Sequence, residues 1–219
     1  MLTDNSYLKV LAAIYATSQM SRTEFIRGFM VSQFLNDENI DLISVARYLD
    51  DKHYVKTNFL GHHDVRMQLT AKGIELIEDP LNSIRRSEQS IINQDNFLTI
   101  QNINSQNASI SIINSSIVQR NMNLPSEADV SYVRDVLEQI FESLVQLNLG
   151  NMETEKYISE ILTLLRSNDR LNAATKVNRV WRSVLEKIMV NTASESAKLF
   201  LVNSFPMIFN LIKRIFSLP

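Results

Sequence analysis

Histidine is the residue type in this sequence with the widest chemistry, because imidazole binds metals and transfers protons near neutral pH. The chain has three histidines, His53, His62 and His63, and no cysteine. His62 and His63 are adjacent, and neighbouring residues on a strand point to opposite faces, so this pair is poorly placed to share a metal ion. We therefore expect exposed histidines and no metal site.

Loops that cradle phosphates in nucleotide-dependent enzymes need closely spaced glycines. The four glycines, Gly28, Gly61, Gly73 and Gly150, have neither of the two common spacings. The glutamates after residue 125 alternate with apolar residues as on a solvated helix face, and no strand–turn–helix motif marks a nucleophilic serine. The sequence predicts a protein that is not an enzyme and has no cofactor.

The overall composition predicts a folded protein of two modest domains, or of one domain with an appendage. The 219 residues are 45% apolar and 21% charged, with four glycines and four prolines, which excludes a wholly disordered chain. The absence of cysteine, together with an N-terminus (MLTDNSYLKV) that does not resemble an export signal, predicts a cytoplasmic location.

Charge is spread thinly over the chain. The net charge of −2 divides into −3 for residues 1–80, +1 for residues 81–124 and 0 for residues 125–219. Affinity for nucleic acid grows with the number of phosphates that cations neutralise. Nucleic-acid binding by this chain would therefore depend on a few locally clustered lysines and arginines.

The elements that position these residues begin with three predicted helices. Apolar residues recur at helical spacing from Ser6, again between Glu24 and Leu35, and again between Asp41 and Lys52. The polar turn at residues 36–39 is of the type that caps a helix, and we expect it to cap the third one.

A hairpin and a short helix are predicted next. The segment HYVKTNFL is followed by the polar turn GHHD and then by VRMQLT. In VRMQLT the residues Val65, Met67 and Leu69 alternate with Arg66 and Gln68, which suits a half-buried strand and predicts a hairpin. Thr70 is expected to cap a helix, AKGIELIED, that Pro80 stops.

Three helices, a hairpin and a closing helix, in this order, resemble the winged helix-turn-helix superfamily of bacterial and phage type. The phrase YLDDKHYVKT followed by VRMQLTAKGIELIED is similar to the wing region of that superfamily, and the resemblance covers about residues 5–80. In relatives that bind DNA, the third helix enters the major groove and the hairpin tip touches the backbone. The resemblance implies DNA-facing positions on the third helix and around the wing: Ser44, Arg47, Tyr48, Asp51 and Lys52, with Lys56, His62, His63 and Arg66.

Acidic residues around the predicted third helix argue against DNA binding there. Phosphates would meet net negative charge there unless the carboxylates point away, and some winged helices contact only proteins. The acids in question are Asp37, Glu38, Asp41, Asp50 and Asp51.

Residues 81–124 are rich in Asn, Ser, Gln and Ile and have no glycine or proline. Short stretches in which apolar and polar residues alternate recur about every ten residues. This pattern predicts two or three short strands within residues 97–119, as at the start of a β-solenoid. Strands this short need a partner, so the segment is expected either to associate subunits or to pack on its own C-terminal helices. The predicted oligomerisation residues are Leu98, Ile100, Ile110, Ile112 and Ile117.

Residues 125–219 predict a helical bundle of four helices. Pro125, Ser126 and Asp129 form a capping-box-like start, and Pro206 is expected to kink or restart the last helix. Between Lys198 and Lys213 lie only fourteen uncharged residues, which is short of the ~20 that span a bilayer, so we expect no membrane span and favour a core or interface helix over a membrane-surface one.

The fold expected is thus mainly α with small β: a winged helix over residues 1–80, a solenoid-like linker with short strands over 81–124, and a helical bundle over 125–219. The function expected is an oligomeric DNA-binding transcriptional regulator. The alternative is a non-enzymatic assembly or adaptor protein, in a bacterial or phage-related defence system, whose winged helix contacts protein. Partners expected are a second copy of the chain and either DNA or another protein.

Overall fold

The computed structural model describes residues 5–18, 24–35, 40–61, 64–86, 126–146, 154–190 and 194–216. The N-terminal part contains helix α1 (Ser6–Thr17), strand β1 (Ile26–Arg27), helices α2 (Gly28–Leu35) and α3 (Leu42–Asp51), strands β2 (Val55–Phe59) and β3 (Val65–Leu69), and helix α4 (Ala71–Glu78). Residues 80–86 are also helical. The C-terminal part contains helices α5 (Glu127–Gln146), α6 (Thr154–Arg166), α7 (Arg170–Val190) and α8 (Glu195–Phe216). The expectation of a mainly helical protein with a small sheet is confirmed.

The sheet has three antiparallel strands in the order β1-β3-β2. The predicted hairpin is confirmed, with Val55 opposite Leu69 and Phe59 opposite Val65. The helix expected from Glu24 is wrong at its start, because residues 26 and 27 form β1 and pair with Met67 and Arg66 of β3. Ile26 is buried in this position, and the pairing gives β3 a second neighbour, which outweighs the helical periodicity of the segment.

Local capping explains where α3 and α4 begin. Asp41 caps α3, since its carboxylate accepts a hydrogen bond of 3.2 Å from the Ser44 amide. The turn at residues 36–39 lies outside the described residues. Thr70 caps α4 as predicted, since its hydroxyl accepts a hydrogen bond of 3.1 Å from the Gly73 amide.

Pro80 ends α4 and also starts the next helical stretch. The Asp79 carboxylate accepts a hydrogen bond of 3.2 Å from the Asn82 amide, and Pro80 takes the first helical position, where its missing N–H costs nothing. The chain therefore turns at Asp79 and continues as a helix.

The four C-terminal helices are confirmed. Ser126 and Asp129 form the predicted reciprocal cap of α5, with hydrogen bonds of 3.2 Å from each backbone amide to the other side chain. Helical spacing predicts Tyr157 and Leu171 on the apolar stripes of the second and third of these helices, but both are exposed near the starts of α6 and α7. Helix α8 continues through Pro206 without restarting.

Helix α1 lies at the centre of the protein. It packs against α2, α3 and α4 of the N-terminal part of the protein and against α8 of the C-terminal part. Seven successive residues of α1, from Val10 to Ala16, are buried, so the helix is covered on all faces and not on one stripe. The buried residues of both parts of the chain belong to one hydrophobic core. The boundaries predicted at residues 80 and 124 stay a prediction.

Helix α8 is long and apolar enough to cross a membrane on length and composition alone. More than half of its most apolar window is buried inside the protein, against α1, α5 and α7. A core helix passes the same test, and within the described structure α8 fills the core. The predicted strands at residues 97–119, with the five predicted oligomerisation residues, lie outside the described residues.

Candidate nucleic-acid interface

The N-terminal end of α3 is capped by hydrogen bonds between Asp41 and Ser44. The Ser44 hydroxyl donates a hydrogen bond of 2.5 Å to Asp41, and the Ser44 amide donates to the other carboxylate oxygen. The hydroxyl hydrogen bond is the main cause that holds the pKa of Asp41 below its ordinary value. Ser44 is exposed, but its hydroxyl is engaged in the cap and is not free to read a base edge.

The exposed middle of α3 carries Arg47, which is ordered by an aromatic side chain of the hairpin. The Arg47 guanidinium lies 5.5 Å from the centre of the Phe59 ring, a cation–π arrangement. Phe59 is the last residue of β2, so this contact joins α3 to the tip of the hairpin. Among the described residues, no hydrogen bond or ion pair engages the guanidinium nitrogens, so these can bind an incoming phosphate or base.

Tyr48 and Lys52 lie at the carboxyl-terminal half of α3. The Tyr48 ring is half-buried against Tyr7 of α1, with ring centres 5.3 Å apart, and therefore anchors α3 to the core. Lys52 is exposed, and its ammonium lies 5.8 Å from the Tyr48 ring. Its main-chain carbonyl accepts a hydrogen bond of 2.8 Å from Lys72. Lys72 thus brings another cation to this end of the helix.

The acidic residues near α3 are directed differently from one another. Asp50 is half-buried and accepts a hydrogen bond of 2.9 Å from the Thr57 hydroxyl, so its carboxylate faces β2. Asp51 is exposed, and Asp37 and Glu38 lie outside the described residues. Two carboxylates near α3, those of Asp41 and Asp50, are therefore engaged in hydrogen bonds within the protein.

The predicted DNA-facing residues separate into two surfaces. Thr57 and Phe59 contact α3, so the strand alternation places Lys56 and Asn58 on the opposite face of β2. Arg66 lies directly opposite Asn58 in the register and shares that outer face. The positions on α3 thus face one way, whereas Lys56 and Arg66 face the other. His62 and His63 lie outside the described residues.

Arg27 is a residue of this region that the sequence pattern missed. It lies on β1 directly opposite Arg66, so its side chain extends the outer face of the sheet. A strand of two residues is too short for its alternation to be visible in a sequence. Arg27 is identified only by the pairing of β1 with β3, which exists only in the folded chain.

The predicted DNA-facing cations differ from several other arginines in having no carboxylate partner among the described residues, whereas Arg86 pairs with Glu75. Four arginines of the C-terminal helices each pair with a carboxylate: Arg134, Arg166, Arg182 and Arg214. In the ranges that the structure describes, Arg27, Arg47, Lys56 and Arg66 form no ion pair with any carboxylate. Arg179 and Lys213 of the C-terminal helices are also exposed and form no ion pair within those ranges, but they do not lie next to cations of the predicted DNA-facing set.

A separate cleft of about 420 Å³ lies between α4 and α7. Its apolar wall includes Ile74 and Leu185, and its rim carries Glu75 and Glu186. The volume is in the range of small-molecule sites. Within the described residues, no group of three histidine, cysteine or acidic side chains is arranged to hold a metal ion.

No protein-family model matches the sequence, and neither the curated proteins nor the solved structures compared with it contain a match. A function for this protein therefore has to be inferred from the surfaces themselves. The α3 surface presents an exposed cation, Arg47, which the Phe59 ring holds at the hairpin tip.

Proposed function

We propose that residues 5–80 form a winged-helix module that binds DNA through α3 and that the protein acts as an oligomeric, non-enzymatic transcriptional regulator. The order of elements supports this proposal: α1, α2 and α3 precede the β2–β3 hairpin, and α4 follows it. Helix α3 packs against the hairpin, as the recognition helix of such a module does against its wing.

The observation that carries the proposal is the exposed guanidinium of Arg47 at the hairpin tip, which has no carboxylate partner among the described residues. A guanidinium without a carboxylate partner binds phosphate, or the O6 and N7 atoms of guanine, through two parallel hydrogen bonds. The Phe59 ring orients the side chain before binding, which lowers the entropy that binding would otherwise cost. Lys52 adds a second cation on the same helix.

The net negative charge of residues 1–80 is compatible with this role, because several carboxylates are engaged away from α3 or within its cap. Glu78 accepts a hydrogen bond of 2.8 Å from the Tyr15 hydroxyl, and Asp79 is paired with Arg182 of α7. Local charge, and not the sum over a segment, decides what a phosphate meets at contact distance under screening.

The test is the salt dependence of DNA affinity for the double variant Arg47→Ala with Lys52→Ala. Each lost phosphate contact lowers the slope of log affinity against log salt by about 0.9, so two lost contacts lower it by about 1.8. Fluorescence anisotropy with a labelled duplex of mixed sequence measures both quantities. The matched control is Arg179→Ala with Lys213→Ala, which removes two exposed cations from the C-terminal helices. An unchanged affinity and slope in the α3 variant would contradict the proposal.

Oligomerisation is the part of the proposal that would raise the affinity of a weakly basic module, because linked binding sites act together. It is predicted through residues 97–119, which are outside the described residues. Light scattering of the purified protein measures the molar mass directly. A defined oligomer is expected, and the substitutions Ile110→Asp and Ile112→Asp are expected to reduce its mass. A monomer would remove this part of the proposal.

An adaptor function is the second candidate, and one observation favours it. Phe25, Phe29 and Met30 are exposed by 45%, 53% and 41% within six residues around the start of α2. Exposed apolar clusters of this kind are typical of protein–protein contacts. Under this alternative the protein does not bind DNA even at low salt. Phe29→Ser then changes the molar mass of the protein or its binding to a protein partner. Under the DNA-binding proposal, Phe29→Ser leaves the salt slope unchanged.

A further inference from the structure

The outer face of the three-stranded sheet carries three cations in adjoining positions. We use the name outer sheet face for Arg27 of β1, Arg66 of β3, and Lys56 and Asn58 of β2. Arg27, Arg66 and Asn58 form one row across the three strands, and Lys56 lies next to this row, opposite Gln68. Side chains in one such row lie about 5 Å apart at their β-carbons.

The outer sheet face has an excess of positive charge that no acid in the sheet offsets. The twelve residues of β1, β2 and β3 include three cations and no aspartate or glutamate. Like charges directly opposite each other on neighbouring strands destabilise a sheet, and Arg27 and Arg66 are such a pair. The Arg66 Nε is shielded from solvent and, in the part of the chain described, has no hydrogen-bond partner.

An anion placed over this pair would relieve the repulsion. Two guanidinium groups side by side offer several N–H donors to one phosphate, and Lys56 offers a further charge along the face. Arg27, Arg66 and Asn58 follow one another across the three strands as an extended row. A linear polyanion, with phosphates repeated along a backbone, fits this row better than a single free phosphate.

We propose that the outer sheet face is a second nucleic-acid contact, which binds the phosphate backbone without regard to sequence, and that Arg27 is one of its binding residues. This inference shares its ligand with the proposed function but uses a different surface. Because Thr57 and Phe59 face α3 while Lys56 and Asn58 face away, the outer sheet face and α3 lie on opposite sides of β2. The protein therefore contacts two separate stretches of backbone.

The experiment compares two variants by fluorescence anisotropy with a labelled duplex of mixed sequence, several helical turns long, over a series of salt concentrations. Arg27→Gln with Arg66→Gln is expected to lower the salt slope by about 1.8 and to weaken binding equally to duplexes of different sequence. Lys56→Gln, at an exposed position, is expected to lower the slope by about 0.9. This single variant keeps the test valid if the double variant does not fold. The matched control is Arg179→Gln with Lys213→Gln.

The outcomes separate this inference from the proposed function. If the Arg27/Arg66 and Lys56 variants lose slope while Arg47→Ala with Lys52→Ala does not, the outer sheet face is the nucleic-acid contact and the role of α3 is wrong. If Lys56→Gln and a folded Arg27/Arg66 variant keep the slope of the unmodified protein, the inference is overturned. It is also overturned if the protein binds vesicles containing phosphatidylserine but no duplex.

Discussion

The indole Nε1–H of Trp181 donates a buried hydrogen bond of 2.8 Å to the main-chain carbonyl of Ile77. Ile77 lies in the last turn of α4, where backbone carbonyls have no partner within the helix. A side chain of α7 thus completes a helix of the N-terminal part, and the two residues are 104 positions apart. The Trp181 ring also stacks on Phe205 of α8, with centres 6.2 Å apart, so one side chain joins three helices.

We predict that Trp181→Phe lowers the free energy of unfolding by about 1–3 kcal/mol. The substitution keeps an aromatic ring but leaves the buried Ile77 carbonyl without its donor, and an unsatisfied buried group costs this amount. Urea denaturation followed by circular dichroism measures the change. Val190→Ala is the control, since Val190 is 85% exposed and its loss should change the free energy by less than about 0.5 kcal/mol. An unchanged midpoint for Trp181→Phe would show that the hydrogen bond does not stabilise the fold.

Asp79 provides the second prediction because it connects the turn after α4 to α7. Its carboxylate accepts a hydrogen bond of 2.7 Å from the Asn178 side chain, pairs with Arg182 and caps residues 80–86. Asp79→Ala should lower the free energy of unfolding by about 2–4 kcal/mol, since a helix cap and buried polar partners are lost together.

Arg182→Gln is the comparison for Asp79. The Arg182 side chain is about half exposed, so solvent screens its ion pair and its loss should cost less than about 1 kcal/mol. Urea denaturation of the two single variants and the double variant measures the coupling between the residues. Equal losses for the two single variants would contradict the assignment of Asp79 as the central residue.

Gly73→Ala should destabilise the protein although alanine favours helices. A β-carbon at Gly73 would overlap the main-chain carbonyl oxygen of Tyr54, which also accepts hydrogen bonds from Thr70. Helix propensity would gain about 1 kcal/mol, but overpacking against backbone costs about 1–3 kcal/mol, so the net loss reaches about 2 kcal/mol.

Thermal unfolding of Gly73→Ala measures the net effect as a lower Tm. Lys72→Ala at the neighbouring exposed position is the comparison for propensity, although it also removes the hydrogen bond to the Lys52 carbonyl. A higher Tm for Gly73→Ala would contradict this prediction and would mean that the Tyr54 carbonyl moves away from α4 at little cost in free energy.

The pH dependence of stability should depend in part on Asp129. The hydrogen bond from the Ser126 hydroxyl, followed by those from Arg214, holds the pKa of Asp129 below its ordinary value of 3.8. Because the folded state lowers this pKa, the stabilisation is present above about pH 3.8 and is lost as the pH falls through the native pKa. Urea denaturation at acid and neutral pH should show that Asp129→Asn destabilises the protein at neutral pH and that the difference shrinks in acid. A difference that grows in acid would contradict this sign.

Local sequence determined most of the secondary structure. Caps and strand alternation act over only a few residues, so they can be predicted from the sequence. Examples are the Thr70 hydroxyl, the reciprocal pair of Ser126 and Asp129, and the alternation of Val65, Met67 and Leu69. The predicted helices were correct wherever an apolar stripe and a capping residue occurred together. The helix expected from Glu24 failed because Ile26 and Arg27 are satisfied by pairing with β3, and that pairing is not a property of their own segment.

The tertiary structure alone decided which candidate residues share a surface. Lys56 and Arg47 are close in sequence, but the alternation of β2 and its contact with α3 turn them to opposite sides, whereas Arg27 is brought beside Arg66 by the β1–β3 register. The cleft between α4 and α7 and the hydrogen bond from Trp181 to Ile77 likewise join distant segments. Sequence periodicity specifies which face of an element is apolar, but the partner of that face is chosen by packing of the whole chain into one core.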